Sequence, residues 1–458
     1  MQNNVKKGDL IVLGGGTGGL RLALDCAKAG LNTILIESGV FGGTCINTGC
    51  IPTKALLQAA HTYKALSESK SFGIQSKGTI QPKAVFKRVH SIIDEAQEHI
   101  VRSLKRPNLT IVRGKGSFID KNTIQVGKKR FRAKNIVIST GAKNLIPPLP
   151  NAQSLKYLDN VSILNLKEIP KSVIIIGGGY ISMEFATFFA GVGSKVTVVE
   201  YAPQILTMLD ADVVQALREA YDGRITIHTG AQITKINQSK SGTTLSFVPV
   251  NKDAKKKTTT VKAQTLVIAT GRGPNTDGIG ADKAKITLGK RKEVVVDNYL
   301  QSSQKHIYAL GDVNGRALFA HAAKRQAKLI LHNLTHGRQD KFDFDRIPWA
   351  VFTDPVVAGI GLSEKQIQEK KLKYHVYKAN FSSVGRAEIM RETHGFVKIL
   401  TKTDGTILGS TIIGPHADDI IHEIAVLMNS KSPNIRILKK TIHTHPTLSE
   451  VMDNLRRQ

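Results

Sequence analysis

Two stretches of the chain share one pattern of apolar and polar positions. Leu10–Ser38 reads LIVLGGGTGGLRLALDCAKAGLNTILIES, and Val173–Glu200 reads VIIIGGGYISMEFATFFAGVGSKVTVVE. Each begins with an apolar run rich in β-branched residues, passes through three glycines into a segment of helical length, and ends in a second apolar run. This succession predicts a strand, a tight turn, a helix and a second strand, which together form a buried βαβ unit.

The two stretches also share the spacing between glycine and acid. Gly14 and Glu37 are 23 positions apart, and so are Gly177 and Glu200. A single glycine-rich turn is weak evidence for a nucleotide, because such turns are common without any ligand. Two copies with matching strands, helices and acidic ends predict two dinucleotide-binding units.

The glycines of such a unit have separate tasks. Gly14 is expected to make the tight turn, Gly16 to let the backbone approach a pyrophosphate, and Gly19 to let the helix pack closely. The helix N-terminus stabilises the phosphate charge, and the acid after the second strand accepts hydrogen bonds from a ribose. In the second stretch Ser182 takes the place of the third glycine, which predicts slightly looser packing there.

The rest of the chain divides at further glycine breaks. Strand-like runs that end in glycine occur at 136–144 and 266–276, and we expect the chain to leave each nucleotide domain there. After Asp340 the pattern changes to alternating strands and a helical stretch over 417–429, without a glycine fingerprint. We therefore predict an α/β protein with two Rossmann-like domains and a C-terminal α+β domain, joined through 338–345.

Composition and charge narrow the function classes. The 458 residues are 41% hydrophobic and 22% charged, which excludes collagen-like, coiled-coil and wholly disordered chains. The net charge of +29 attracts polyanions at low salt. The basic residues form short, scattered clusters, such as Lys6-Lys7 and 128–130, with few aromatic residues between them. We expect a solvated surface and no specific nucleic-acid partner.

No targeting or membrane segment is predicted. The N-terminal MQNNVKKGDL has no signal-peptide pattern, so a cytoplasmic location is expected. The apolar window 173–193 holds a single charge, Glu184, but its three glycines divide it into a strand, a turn and a helix.

The three cysteines, Cys26, Cys45 and Cys50, are too few for a structural disulfide framework. Two of them lie in GGTCINTGCIPTK, where Pro52 begins a helix at a position that needs no N–H donor. Cys50 is therefore expected at a helix N-terminus. The helix dipole and Lys54 would both lower its thiol pKa.

Three interpretations of this pair compete. A zinc site needs about four ligands, and His61 is the nearest additional candidate, so no metal is predicted. Inert buried thiols are common, but they do not explain two cysteines at a glycine-flanked helix start. A redox-active disulfide is favoured, and Cys26, on a helix face, is assigned to the core.

The cysteine segment, both glycine fingerprints, the motif ALGD and the terminal HTHPTLSE together resemble the flavin-dependent pyridine nucleotide-disulfide oxidoreductases. This group contains dihydrolipoyl dehydrogenases, glutathione reductases and mercuric reductases. The resemblance covers essentially the whole chain and implies FAD on the first unit and NAD on the second. The implied domains are an FAD-binding domain with the redox disulfide (1–148), an NAD-binding domain (149–272), a central domain completing the FAD site (273–345) and a dimerisation domain (346–458).

The resemblance also implies the cofactor contacts. Glu37 would bind the adenosine ribose of FAD, Gly116 the adenine side, and Asp312 with Ala320 the ribityl and flavin region. Tyr180 resembles an aromatic gate over the nicotinamide pocket. The full set of implied cofactor-binding residues is Gly14, Gly16, Gly19, Glu37, Thr44, Lys54, Gly116, Thr140, Gly141, Asp312, Ala320, Gly177, Gly179, Tyr180, Ile181, Glu200 and Gly271.

The catalytic residues are implied in the same way. His445 with Glu450 matches the acid–base pair of the family, which reaches the disulfide of the other subunit, whereas His443 is assigned to structure. Lys54 would lie near the reactive flavin nitrogen and pair with Glu184. The implied catalytic residues are Cys45, Cys50, His445, Glu450, Lys54 and Glu184.

Within the family, the chain is most similar to the dihydrolipoyl dehydrogenases. Typical mercury chemistry is excluded because no cysteine follows Cys50, and Leu24 stands where glutathione reductases carry an arginine. Glu200, with no arginine after it, favours NAD over NADP. Dihydrolipoamide is the expected substrate, in a homodimer with a possible 2-oxo acid dehydrogenase complex as partner.

Two alternatives remain open at this stage. One is a reductase of other disulfides, metal ions or quinones in oxidative stress. It is favoured by the net charge of +29, because this charge would repel the basic binding module of a 2-oxo acid dehydrogenase complex. The other is a flavoprotein that acts as a sensing or binding module.

Overall fold

The computed structural model of the protein describes residues 5–251, 257–338 and 340–458. Within them, 22 strands are assigned: β1 Val5–Leu13, β2 Thr33–Glu37, β3 Leu109–Arg113, β4 Gly116–Asp120, β5 Thr123–Val126, β6 Lys129–Ile138, β7 Ala142–Asn144, β8 Ser172–Ile176, β9 Lys195–Val199, β10 Ile225–His228, β11 Ala231–Ser239, β12 Gly242–Pro249, β13 Thr259–Ala263, β14 Thr265–Ile268, β15 Arg272–Pro274, β16 Ile307–Ala309, β17 Trp349–Val351, β18 Val356–Gly361, β19 His375–Asn380, β20 Phe396–Thr401, β21 Ile407–Gly414 and β22 Arg456–Arg457. The same residues form 11 α-helices: α1 Thr17–Lys28, α2 Gly43–Asn47, α3 Cys50–Glu68, α4 Pro82–Ser103, α5 Tyr180–Gly191, α6 Ala211–Ala220, α7 Ala320–His336, α8 Glu364–Glu369, α9 Gly385–Met390, α10 Ala417–Met428 and α11 Ile435–Leu438.

The chain divides into two units, each with its own hydrophobic core. Unit 1 contains Met1–Ala55, Lys83–Leu145 and Gly271–Phe344, and unit 2 contains Leu56–Pro82, Ile146–Thr270 and Asp345–Gln458. The domain boundaries predicted after residues 148, 272 and 345 are a finer division of the chain and stay predictions.

Unit 1 is built on a seven-stranded sheet in the order β3-β2-β1-β6-β5-β4, with β16 also paired to β6. The strands β1, β2, β3, β6 and β16 run parallel, and the apolar runs of β1, β2, β6 and β16 are buried. Strands β7 and β15 form a separate antiparallel pair. The first glycine stretch supplies β1, α1 and β2, as predicted.

Unit 2 contains a parallel sheet in the order β10-β9-β8-β14, in which the second glycine stretch supplies β8, α5 and β9. An antiparallel sheet of β11, β12 and β13 packs on it through a core that includes Ile174, Phe247 and Ile268. The prediction of two nucleotide-type parallel sheets is confirmed.

The C-terminal part of unit 2 is the predicted α+β region. Its six strands follow the order β17-β18-β21-β20-β19-β22, and all the pairings are antiparallel. Helix α10, predicted over 417–429, packs on this sheet with Ile420, Ile421 and Ile424 buried. This arrangement confirms the predicted fold class.

Two basic clusters that are far apart in the sequence become neighbours in unit 1. The first half of β1 pairs in parallel with the first half of β6, which places Lys7 beside Arg132 and Val5 beside Arg130. The side chains of Lys6, Lys7 and Arg132 are exposed. Among the described residues, no helix has both the length and the apolar content that crossing a membrane requires.

Candidate active site

The first glycine of each fingerprint makes the turn that the sequence predicts. Gly14 and Gly177 both have φ of +109°, a conformation that L side chains rarely adopt. A Cβ atom would lie 2.3 Å from the Ser139 carbonyl oxygen at Gly14 and 2.6 Å from the Ala269 carbonyl oxygen at Gly177. Any other residue would therefore push the turn away from the adjacent strand.

The second glycine of each fingerprint is the N-cap of the following helix, and it borders open space. At Gly16 the nearest atom to an added Cβ is Gly43 Cα at 4.0 Å, and at Gly179 no atom of the described residues lies within 4 Å. A bare backbone at a helix N-terminus presents N–H groups to an anion. We call each of these glycine–helix junctions, at Gly16 and at Gly179, a cradle. Both cradles fit a pyrophosphate, as FAD and a nicotinamide dinucleotide require.

The two acids are held in the same way. Glu37 accepts hydrogen bonds from the Gly15 N–H at 2.5 Å and the Gly39 N–H at 2.6 Å. Glu200 accepts them from the Gly178 N–H and, at 2.6 Å, from the Ala202 N–H. Each carboxylate is thus fixed beside its glycine turn, where the sequence predicts a ribose contact.

The looser packing predicted at Ser182 is not found. Ser182 is fully buried, and its hydroxyl donates a 2.8 Å hydrogen bond to the Ala269 carbonyl. In unit 1 the two corresponding positions are reversed: the helix has Gly19, and the serine is Ser139, whose hydroxyl would lie 2.8 Å from a Cβ at Gly19. Each unit thus has one serine at this contact. In unit 2, the small side chain of Ala269 leaves room for Ser182.

The two redox cysteines lie at adjoining helix ends. Cys45 is in α2, and Cys50 is the first residue of α3, as predicted. Both carry thiols in this structure. The pKa of Cys45 is lowered to about 7, and a hydrogen bond from Cys50 is the main cause. A hydrogen bond from the Thr17 hydroxyl and the positive charges of Lys324 and Lys54 lower it further, whereas burial opposes the shift.

The sequence interpretation expected a lowered pKa at Cys50, and that expectation stays a prediction. The structure lowers the pKa of Cys45, because the neighbouring thiol donates to it. Cys26 behaves as predicted: it is fully buried, and burial raises its pKa to about 12, so this thiol is inert.

Arg272 is a site residue that the sequence interpretation missed. Its guanidinium donates to the Thr44 hydroxyl at 3.1 Å and to the Asn144 side chain at 2.9 Å. It thereby ties the strand after Gly271 to the cysteine-bearing helix α2. Burial raises the pKa of Asp312, and the positive charge of Arg272 opposes this shift.

A second missed residue is Gln326, on α7. It is fully buried, and its side-chain oxygen accepts the Gly311 N–H at 2.7 Å, next to Asp312. This contact fixes the start of the short helix Gly311–Asn314, from which Asp312 projects. The signal was absent from the sequence because glutamine on a helix has no characteristic pattern.

Unit 1 contains four further residues that the sequence implies as cofactor contacts. The Thr140 hydroxyl donates to the Asn275 carbonyl at 2.7 Å, and Gly141 follows it with φ of +70°. Gly116 begins β4, where a Cβ would lie 2.6 Å from Leu13 Cδ1, and Ala320 begins α7. Gly116 thus needs a small residue and Gly141 a left-handed backbone, and the contacts of all four residues with the cofactor stay predictions.

In unit 2, Tyr180 and Ile181 form the first turn of α5, and Glu184 follows one turn later. Glu184 is 4% exposed and accepts the Phe352 N–H at 3.1 Å. Lys54 lies in the first turn of α3, in unit 1. The pairing of Lys54 with Glu184 stays a prediction.

The predicted acid–base pair is joined by a direct hydrogen bond. His445 Nδ1 lies 2.8 Å from Glu450 Oε1, and Glu450 Oε2 accepts the Thr447 N–H at 2.8 Å. The His445 hydrogen bond is the main cause that lowers the pKa of Glu450. The imidazole side chain is 79% exposed in the single chain. A carboxylate that orients an accessible imidazole is suited to proton transfer.

His443, two positions earlier, has a different environment. Its side chain is 5% exposed, with Nδ1 2.8 Å from Asp453 Oδ1 and Nε2 3.4 Å from Glu423 Oε2. This buried imidazole therefore lies between two carboxylates of unit 2, and its assignment to structure stays a prediction.

Among the described residues, one group of three acids has the spacing of a metal site: Asp210, Asp212 and Glu364. The Lys398 ammonium lies among them, 2.8 Å, 2.7 Å and 2.9 Å from the three carboxylates in that order. These ion pairs raise the pKa of Lys398 despite its burial. The lysine therefore serves as the cation of this cluster.

Comparisons with known proteins agree with this geometry. Residues 8–327 match the family described as pyridine nucleotide-disulphide oxidoreductase, and residues 347–456 match the dimerisation domain of that family.

Curated relatives are named dihydrolipoyl dehydrogenase. The protein from Chlamydia muridarum is 33% identical over 97% of this chain and 95% of its own length, and that from Geobacillus stearothermophilus is 32% identical over 97% and 94%. A solved structure, the Cu(II) complex of the HOCl-induced flavoprotein disulfide reductase RclA from Escherichia coli, is similar with a TM-score of 0.86, 27% identity and 98% coverage of both chains.

Family members are flavoprotein enzymes that use FAD and NAD(P). The matched residues cover nearly the whole chain and include both glycine fingerprints, the cysteine pair and the acid–base pair. The chain belongs to the pyridine nucleotide-disulphide oxidoreductase family.

Proposed function

We propose that this enzyme oxidises dihydrolipoamide with NAD⁺, moving an electron pair through the Cys45–Cys50 pair and FAD. The observation that carries the proposal is the pair of hydrogen-bonded thiols at a helix start, in which the pKa of Cys45 is lowered to about 7. Such a sulfur is a good nucleophile and a good leaving group at neutral pH.

The cysteines and the histidine have separate roles in this reaction. His445 accepts the proton of one substrate thiol, and the thiolate attacks Cys45, so the Cys45–Cys50 bond breaks and Cys50 leaves as a thiolate. The second substrate thiol loses its proton to solvent and attacks the substrate sulfur of the mixed disulfide. Cys45 then leaves as a thiolate, the substrate departs as a disulfide, and the cysteine pair holds two more electrons than before.

FAD, when bound, supplies the chemistry that passes these two electrons to NAD⁺. The cradle at Gly16, with Glu37 beside it, would hold the FAD pyrophosphate and ribose, and the cradle at Gly179, with Glu200, would hold those of NAD. Glu200 would repel a 2′-phosphate, which favours NAD over NADP. Asp312, Ala320 and Gly116 are proposed FAD contacts, and Tyr180 is a proposed nicotinamide contact.

Dimerisation would complete the site. Val426 and Ile442, in the region that matches the dimerisation domain, are 73% and 96% exposed in the single chain. Such apolar side chains are typical of a surface that a partner covers. We propose a homodimer in which His445 serves the cysteine pair of the partner subunit.

The substrate assignment rests on two supports. The curated relatives are named dihydrolipoyl dehydrogenase, and Leu24 replaces the arginine with which glutathione reductases bind a peptide carboxylate. An unbranched apolar lipoyl chain needs no such charge. A lipoyl group on a protein, a 2-oxo acid dehydrogenase complex as partner and a cytoplasmic location are the corresponding predictions.

A second candidate is reduction of another acceptor under oxidative stress. The observation in its favour is the similarity to RclA, an HOCl-induced disulfide reductase solved with Cu(II). The +29 net charge, which disfavours docking to a basic binding module, is compatible with it.

An acceptor panel separates the two candidates. The FAD-loaded enzyme would be given NADH with lipoamide, glutathione disulfide, cupric ion, a quinone or a redox dye. We expect lipoamide to be the best substrate. Cys45→Ser should abolish lipoamide turnover, a loss of more than about a thousandfold, while dye reduction continues, because the nucleophile is required for exchange alone. Lipoamide turnover at the dye background, with rapid use of another acceptor, would favour the second candidate.

Mixing two inactive variants tests the shared site. His445→Ala should slow lipoamide turnover by about a hundredfold to ten-thousandfold and spare dye reduction, because the lost group transfers protons to and from thiols. Heterodimers of His445→Ala and Cys45→Ser contain one intact combination of cysteine and histidine across the interface. Activity should return on subunit exchange, and its absence after confirmed exchange would place both groups in one subunit.

A further inference from the structure

His443 is a buried titratable residue that the proposed reaction does not use. Its imidazole is 5% exposed, whereas that of His445, two positions later, is 79% exposed. Nδ1 of His443 lies 2.8 Å from Asp453 Oδ1. Because an ionised carboxylate only accepts hydrogen bonds, Nδ1 carries a proton and donates it to this contact. The buried ring is therefore a fixed point beside the residue that carries the exposed one.

A second carboxylate faces the other ring nitrogen. His443 Nε2 is buried, lies 3.4 Å from Glu423 Oε2 on α10, and makes no hydrogen bond with the described residues. When the ring is protonated, its Nε2–H is attracted to this carboxylate. The other oxygen of Glu423 accepts a hydrogen bond from the Ser449 hydroxyl. The ring and Glu423 thus join α10 to the short 3-10 helix Leu448–Met452, which contains Glu450.

The segment from His443 to Glu450 is also held by its own hydrogen bonds. The Thr447 hydroxyl donates to the Thr444 carbonyl at 2.7 Å, and the Thr447 N–H donates to Glu450 at 2.8 Å. His445 lies inside this segment, and its ring is mostly exposed in the single chain. The backbone on either side therefore determines where the ring of His445 lies.

A purely structural role of His443 is the alternative, in which the ring stabilises unit 2 without any effect on His445. Two observations favour more than this. The contacts of the ring lead to both sides of Glu450, since Asp453 follows it and Ser449 precedes it. The pKa of Glu450 is lowered mainly by the His445 hydrogen bond, and the positive charge of His443 contributes to the same shift. The ring therefore acts on the partner of His445.

We infer that His443 is a positioning residue, which holds the segment 443–447 so that His445 and Glu450 meet in the geometry that proton transfer needs. The inference rests on the proposed role of His445 as the base of thiol exchange. His443 itself acts through the backbone and through Glu450, and small misplacements of a proton-transfer group cost much of its rate.

The test measures thiol exchange with dithiothreitol, a small dithiol, so that it does not depend on lipoamide as the substrate. The FAD-loaded enzyme with the Cys45–Cys50 disulfide is mixed with dithiothreitol at pH 7.5 and quenched with acid at successive times. The new thiols are alkylated and counted by mass spectrometry. NADH-to-dye transfer, which removes no proton from a thiol, is measured on the same samples.

The variants change the ring and its partner in turn. His443→Ala should slow reduction of the disulfide by about tenfold or more and leave dye reduction within about twofold. His443→Asn should recover most of this loss, since its amide N–H can replace Nδ1 as the donor to Asp453. Asp453→Asn keeps the ring and changes a side chain that is 46% exposed, so it supplies the measurement if His443→Ala does not fold. It should slow the reduction by about threefold.

A double variant separates positioning from a general structural effect. His445→Ala alone should slow the reduction by about a hundredfold, because the base is lost. Adding His443→Ala to it should slow the reaction by less than about twofold further, since the group that His443 positions is already absent.

His416→Asn is the matched control. His416 is the N-cap of α10, the helix that carries Glu423, and its exposed ring also lies near a carboxylate, 3.8 Å from Asp419. Its φ of +51° is one that asparagine tolerates. This variant should reduce its disulfide at the rate of the unaltered enzyme.

Three results would overturn the inference alone: an unchanged reduction rate in both His443→Ala and Asp453→Asn, an equal loss of dye reduction in His443→Ala, or a full further loss when His443→Ala is added to His445→Ala. Unslowed reduction in His445→Ala itself would refute the proposed base, and the inference with it.

Discussion

The two glycine fingerprints hold their turns and acids in the same geometry, but the chain continues differently after each of them. In unit 1 it passes from β2 into α2 and the start of α3, which carry Cys45 and Cys50. In unit 2 it passes from β9 into a loop and α6, and the sequence there has no cysteine. The comparison teaches that the βαβ unit supplies a dinucleotide cradle, and that a short insertion after it supplies the thiol chemistry.

The first prediction tests whether the two cradles bind FAD and the nicotinamide nucleotide independently of each other. Gly16→Ala should remove most of the bound FAD, because the added methyl group blocks the approach of the pyrophosphate. Gly179→Ala should retain FAD and raise the KM for NADH by about tenfold to a hundredfold, a cost of a few kcal/mol. Flavin absorbance and NADH-to-dye kinetics measure the two effects.

Gly385→Ala is the control for this pair, because its Cβ would also meet no described atom within 4 Å. Flavin content and KM should not change in this variant. Loss of FAD in Gly179→Ala would mean that the two fingerprints are not independent.

The second prediction sharpens the chemical difference between the units. Because the pKa of Cys45 is lowered to about 7, its thiolate predominates above pH 7 and is lost as the pH falls below it. Alkylation of the reduced enzyme by iodoacetamide should therefore rise with pH to a plateau, with an inflection near 7. Cys50→Ala removes the main cause of the shift, so the inflection should move toward 9 and the rate at pH 7 should fall about tenfold or more.

Cys26 provides the control, since its buried thiol should not be alkylated and Cys26→Ala should leave the profile unchanged. An inflection that stays near pH 7 in Cys50→Ala would assign the shift to the helix dipole and the lysines instead.

The third prediction concerns the two acids. NADH should exceed NADPH in kcat/KM by about tenfold to a thousandfold, and Glu200→Ala should narrow this gap by about tenfold because the like-charge contact with a 2′-phosphate is removed. Glu37→Ala is the matched change in unit 1 and should leave the nucleotide preference as it was. Equal use of NADH and NADPH by the unaltered enzyme would refute the role of Glu200.

The smallest predicted effect lies in the packing of the two units. Ala269→Ser adds a second hydroxyl beside the buried Ser182 and should destabilise unit 2 by about 1–3 kcal/mol. Combined with Ser182→Gly, the same change reproduces the arrangement of Gly19 and Ser139 in unit 1. The double variant should be more stable, by about 0.5–1 kcal/mol or more in the free energy of unfolding, than the sum of the two single changes predicts.

Denaturant unfolding of the FAD-loaded variants measures this coupling. Strictly additive effects would show that the two serines do not occupy equivalent space.

Features that depend on local spacing could be predicted from the sequence. The glycine turns at 14 and 177, the helix that begins at Cys50, and the contact between His445 and Glu450 all join residues within one motif. Their geometry is determined by the length of a strand, a turn or a helical turn.

Features that join distant segments could not be predicted. Arg272 meets Thr44 across 228 positions, and Gln326 meets Gly311 through a helix face that has no sequence signature. The pKa of Cys45 depends on which thiol donates the hydrogen bond, which spacing does not decide. The contact between Ser182, on helix α5, and Ala269, which follows β14, also joins segments far apart in the sequence.

The parallel pairing of β1 with β6 has a consequence for ionic strength. Lys7 lies beside Arg132, and Lys6 adds a further positive charge at the same end of the sheet, where Asp9 pairs with Lys134. Like charges on adjacent strands repel each other, and at physiological salt their interaction is screened beyond about 8 Å. The start of β1 should therefore be held more firmly as salt is added, so that this end of the β1–β6 pair opens first in dilute buffer and exchanges its amide protons fastest there.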